Sequence, residues 1–129
     1  MAKQLLINLP VADINKSTSF FKALGLPLNE KLSDENAMCF NLEDNIVVAL
    51  LPNDHFKEIL NGNDVADATT NETLLAVGLE SNEAVDDLVN KAVLAGAQEV
   101  HERVDLPDIY AGTFKDLDGH LWNIFCMRG

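Results

Sequence analysis

The chain has 129 residues, 47% of them apolar, which suits a single core and excludes a disordered chain. Nine lysines and arginines face 21 aspartates and glutamates, a net charge of −12. That balance repels phosphate backbones and anionic membranes, so neither nucleic acid nor membrane is an expected partner, and a cationic small molecule is the ligand it favours.

Residues 4–9 are short and mostly apolar, with Pro10 behind them, and read as a buried strand. Asp13 can cap a helix over 14–24, with Ile14, Phe20, Phe21 and Leu24 as its core stripe and Gly25 beyond its end. Strands follow near 28–32, 37–42 and 46–51, the last two separated by the turn Glu43-Asp44-Asn45. A polar linker, 53–72, opens with a short helix over 54–60 and continues as loop through Thr69-Thr70-Asn71.

The pattern then restarts. A strand over 73–79 leads to a helix capped by Ser81 or Asn82, with Val85, Leu88, Val89, Ala92 and Ala95 on one face and Gly96 at its end. Strands near 98–104 and 109–114 follow, then the turn Asp116-Leu117-Asp118-Gly119 and a last strand over 120–127. The chain is therefore a duplicated βαβββ unit, halves 1–52 and 73–129, in a single α+β domain. Two such units can form a curved mixed sheet with helices outside and a concave cleft for a ligand.

Cys39 and Cys126 lie in apolar stretches and read as buried hydrophobes; no CxxC pair supports a structural zinc site. No basic segment followed by a long apolar run opens the chain, and no run is long enough to span a bilayer. A soluble cytoplasmic protein is the expectation.

Three segments resemble the vicinal-oxygen-chelate superfamily, which includes glyoxalase I, bleomycin-resistance proteins, fosfomycin-resistance enzymes and extradiol dioxygenases. They are Asn8-Leu9-Pro10-Val11-Ala12-Asp13-Ile14 with Ser17, Phe20-Phe21 and Leu24-Gly25-Leu26; then Ala95-Gly96-Ala97; then Phe114-Lys115-Asp116-Leu117-Asp118-Gly119-His120-Leu121-Trp122. Leu117 replaces the usual proline. The chain looks most like small bacterial proteins labelled predicted lactoylglutathione lyases. The resemblance implies paired βαβββ modules, a homodimer, and, in metal-dependent members, His and Glu ligands whose ion stabilises an enediolate.

Carried over by position, those ligand sites fall on Leu6, near Leu74, within 46–51, and on Asn123. None carries a usual ligand, since leucine cannot bind a metal and neutral asparagine replaces a carboxylate poorly. No cofactor is therefore expected, and no catalytic residue can be named.

Strand alternation places Leu6, Asn8 and Pro10, then Leu74, Ala76 and Gly78, then Leu121, Asn123 and Phe125 on the concave side. The opposite sets, including Trp122, pack under the helices. The expected ligand-binding residues are Leu6, Asn8, Leu74, Tyr110, Leu121, Asn123 and Phe125, with Tyr110 at the mouth of the second half. His55, His101 and His120 read as surface or turn residues, and Glu30, Asp34 and Glu35 as a solvated hairpin. The leading expectation is a glyoxalase/bleomycin-resistance-like protein that binds a small molecule in a mostly apolar, metal-free cleft. The alternatives are a metal-dependent glyoxalase I-type lyase and a regulator that uses only its dimer surface.

Overall fold

A computed structural model of the chain describes residues 4–66, 69–70 and 73–128. Asn71 of the expected loop lies outside them. The chain divides into two compact units, residues 1–65 and 66–129.

The first unit runs β1 (Leu5–Val11), α1 (Ile14–Ala23), β2 (Met38–Glu43), β3 (Ile46–Pro52) and α2 (Asn53–Leu60). Its sheet order is β1-β3-β2, with β1 parallel and β2 antiparallel to β3. Asp13 is the N-cap of α1, its side chain accepting from the amides of Asn15 and Lys16 at 3.0 Å each. Gly25 follows the helix at φ 89°, a conformation that a side chain would resist. The central strand β3 is covered on both sides, and Val47, Val48 and Leu50 are fully buried. On the α1 side Phe21 packs on Phe40, ring centroids 6.0 Å apart.

The strand expected near 28–32 is reduced to a single bridge, Leu28 to Phe40. Asn29 turns the chain instead. Its side chain accepts from the Leu32 amide at 3.1 Å, and its carbonyl accepts from the Ser33 amide at 3.1 Å and the Ser33 hydroxyl at 2.7 Å. A side chain that satisfies its own backbone competes with the ladder, and here it wins. The helix expected in the linker is α2, and it packs against β1 and β3 of the first unit.

The second unit runs β4 (Leu74–Gly78), α3 (Asn82–Leu94), β5 (Gln98–Glu99), β6 (Val104–Asp105), β7 (Ile109–Lys115) and β8 (Leu121–Met127). The sheet order is β4-β8-β7-β5, with β6 also paired to β7. Ser81 caps α3, its hydroxyl accepting from the Ala84 amide at 3.1 Å. The single strand expected over 98–104 is two short ones. Between them Arg103 turns toward α3 and the chain leaves the ladder.

In the second unit Phe114 and Trp122 stack with centroids 6.3 Å apart, and Val85 and Val89 of α3 and Ile124 of β8 are buried. Gly112 lets α3 approach: a Cβ there would stand 3.0 Å from Val89 Cγ2 and 2.9 Å from Arg103 Cδ. Among the described residues no helix is long and apolar enough to cross a membrane.

Candidate functional site

Each unit has a sheet face turned away from its long helix. In the first, β1 and β3 register Leu6 with Val47 and Asn8 with Ala49, and β2 adds Cys39 opposite Ala49. Leu6 and Asn8 are exposed, whereas Cys39, Val47 and Ala49 form a buried cluster. Burial, and then the charge of Asp34, push the Cys39 thiol above its ordinary value, so it is not an activated thiolate.

In the second unit the register fixes the sides just as firmly. Leu74 pairs with Leu121, Ala76 with Asn123 and Gly78 with Phe125. Across the hairpin Lys115 pairs with Leu121, Thr113 with Asn123 and Ala111 with Phe125. These residues share the face away from α3. Exposure grades across it: Ala111 and Thr113 are buried, Leu121, Asn123 and Phe125 half-buried, and Leu74, Ala76 and Gly78 exposed. At its centre Asn123 Nδ2 donates to Thr113 Oγ1 at 2.9 Å. The Phe125 ring lies over Gly78, its Cζ only 2.9 Å from where a Cβ would stand. The missing side chain lets the ring lie down on the sheet.

Four expected ligand residues, Leu74, Leu121, Asn123 and Phe125, thus share one face of the second unit. Leu6 and Asn8 share the corresponding face of the first. Tyr110 does not join either set. It pairs with Cys126 in the register, on the α3 side, and its hydroxyl donates to Asp86 Oδ1 at 2.7 Å. The hydrogen bond to Asp86, and then burial, raise its pKa. The parity of β7 puts Tyr110 behind the sheet and not at a ligand mouth.

Arg103 organises this side, and sequence reasoning missed it. Its Nε donates to Glu99 at 2.8 Å, its Nη2 to Asn90 at 2.8 Å, and its Nη1 to Asp86. Arg128 lies 5.4 Å from the centroid of the Tyr110 ring and pairs with Asp105 at 2.6 Å. The network ties the β5–β6 segment and the end of β8 to α3 and β7. Tyr110→Phe is expected to cost about 1 kcal/mol, one hydrogen bond. Arg103→Ala is expected to cost roughly 2 kcal/mol, because it leaves two part-exposed carboxylates without their cation. Urea unfolding of both variants checks the order.

A second buried feature closes the β7–β8 hairpin. Asp116 Oδ1 accepts from the amides of Asp118 and His120 at 3.0 Å each, and Oδ2 accepts from Trp122 Nε1 at 3.0 Å. Asp116 is only 7% exposed. Burial outweighs the neighbouring His120 and the three N–H donors, so its pKa is raised. His101 is exposed, and His55 and His120 are half-buried.

The metal that the superfamily resemblance implies does not fit these residues. Leu6 and Leu74 offer no donor atom, and β3 presents only aliphatic side chains and Pro52. Asn123 offers one neutral amide, already bonded to Thr113. Among the described residues no group of three or more His, Cys, Asp or Glu is arranged to hold an ion.

Two repeated βα units with their following strands, each with a long helix on one sheet face, define the glyoxalase/bleomycin-resistance fold. Residues 5–42 match the family model for bleomycin resistance protein-like N-terminal domains. A solved hypothetical protein from S. aureus, SA1046, is 33% identical over 98% of this chain and 94% of its own, with a TM-score of 0.82. A glyoxalase-related enzyme from Fulvimarina pelagi is 22% identical over 97% and 88%, TM-score 0.80. A glyoxalase/bleomycin resistance protein/dioxygenase family enzyme from Burkholderia phytofirmans PsJN is 16% identical over 95% and 97%, TM-score 0.79. A search of curated protein sequences found no match. The chain belongs to the glyoxalase/bleomycin-resistance/dioxygenase (vicinal-oxygen-chelate) superfamily.

Proposed function

We propose that this protein binds a small, partly apolar molecule on the sheet face away from α3, without a protein-held metal ion. The observation that carries this reading is Asn123. It is half-buried in the middle of an apolar face, and its bond to Thr113 orients it. A polar group fixed at the centre of an apolar surface is how binding sites orient a ligand. Leu74, Leu121 and Phe125 supply apolar contact around it, and Leu6 and Asn8 are the equivalent pair in the first unit. The metal-dependent lyase reading lacks its donor atoms here.

Benzamide is a suitable probe, with an apolar ring and one amide. Titrated into labelled protein, it is expected to give saturable amide shifts at Thr113, Asn123 and Phe125. Asn123→Ala is expected to weaken it about fivefold, the equivalent of one hydrogen bond. No saturable shift at these residues would overturn the reading. So would one ion per chain retained after desalting, together with chelator-sensitive turnover of methylglyoxal and glutathione.

A further inference from the structure

From the charges on the face around Asn123 we infer that the ligand carries an anionic group, a carboxylate or similar oxyanion, on an apolar body. The inference rests on the binding reading above and adds the sign of the ligand's charge. The strand positions on this face are the alternate residues of β4 from Leu74, of β8 from Leu121 to Met127 and of β7 from Ile109 to Lys115, with Gln98 and Val104 paired to them. Lys115 is the one charged residue among them, in a chain whose net charge is −12.

Lys115 is also set apart by its pairing. Three cations among the described residues are half-buried: Arg103, Lys115 and Arg128. Arg103 has Asp86 and Glu99, and Arg128 has Asp105. Lys115 has no ion pair among the described residues. The other described lysines, Lys16, Lys22, Lys31, Lys57 and Lys91, are exposed and need no partner. The Lys115 ammonium has no counter-ion among the described residues, and an anion at this face would supply one.

The neighbours fit that role. Lys115 is two residues from Thr113 on the same face and diagonal to Asn123 across the hairpin, a separation of about 7–8 Å that a lysine side chain can span. The Thr113 hydroxyl accepts from Asn123 and keeps its own proton to donate. An oxyanion beside Lys115 would meet an ammonium and hydroxyl and amide donors, while Phe125 and Leu121 receive the apolar body. The chain's overall acidity does not oppose this, because distant charges are screened beyond about 8 Å at physiological salt. A ligand in contact with this face meets Lys115, the one charged strand residue on it.

Benzoate, benzamide and benzamidine share one ring and differ in charge, so they separate the two proposals. In 0.15 M salt, benzoate is expected to bind at least tenfold more tightly than benzamidine, with shifts at Thr113, Lys115, Asn123 and Phe125. Lys115→Gln is expected to abolish the preference, and Lys115→Arg to keep it. Equal binding of benzoate and benzamide, or tighter binding of benzamidine, would overturn the anionic inference and leave the binding reading in place. Failure of all three to shift this face would overturn both. The charge series is read on the wild-type protein, so the result does not hinge on whether a Lys115 variant folds.

Discussion

Asp116→Ala is expected to destabilise the fold by about 3 kcal/mol and to lower the melting temperature by roughly 10 °C. The carboxylate holds three N–H groups, and one of them, Trp122 Nε1, is in the core. Alanine leaves these donors without their acceptor where water has little access, and the cost of an unsatisfied buried donor exceeds that of a lost surface bond. Asp116→Asn keeps one acceptor oxygen and is expected to cost about half as much.

The two variants also test the protonation of this group. Burial raises the folded-state pKa of Asp116 above its ordinary value. Its folded form therefore binds the proton more tightly than the unfolded chain does. The stability linked to that proton is complete below the unfolded-state pKa and is lost as pH rises through the raised one. The stability advantage of wild type over Asp116→Asn should shrink from the acid to the neutral side of that window. Denaturant midpoints across the range would show it. An advantage that grew with pH would mean that the three donors outweigh burial.

Gly112→Ala and Gly78→Ala meet equally close neighbours and are expected to differ sharply. At Gly112 the added Cβ would meet Val89 Cγ2 at 3.0 Å and Arg103 Cδ at 2.9 Å. Val89 is fully buried on α3, and Arg103 is tied to Asp86, Glu99 and Asn90, so neither can yield without moving the helix. Overpacking of this kind costs about 2–3 kcal/mol. At Gly78 the Cβ would meet the tip of the Phe125 ring at 2.9 Å. That ring is half-buried and can tilt outward, so the expected cost is under about 1 kcal/mol. Thermal melts of the pair check the contrast. The tilt should appear in the benzoate titration as weaker binding without a large loss of stability.

Much of the fold was legible along the chain because its signals are local. Asp13 and Ser81 cap the helices expected of them, and Gly25 and Gly96 follow with positive φ. Alternation correctly divided β8 into Trp122, Ile124 and Cys126 on the buried side and Leu121, Asn123 and Phe125 on the other. The segment over 28–32 misled because its strand-like composition conceals Asn29, which bonds its own backbone.

The candidate site was half legible for a related reason. Alternation along β1, β4 and β8 groups the other expected residues, but along β7 it puts Tyr110 behind the sheet, away from Asn123. The turn from Asp116 to Gly119 carried that register: counting outward from it pairs Lys115 with Leu121 and sends Tyr110 to the α3 side.

What the sequence alone determined is the duplicated unit and its helices with their caps. These depend on residue type and spacing within a few positions. What only the tertiary structure decided is which charges find partners. Arg103 reaches Asp86 on α3, 17 positions earlier in the chain. Arg128 reaches Asp105, 23 positions earlier. Lys115 is left without an ion pair among the described residues. Pairing over such separations follows from strand register and helix docking, which no local pattern encodes. Here it turns an acidic chain into one that presents a positive charge at its candidate binding face.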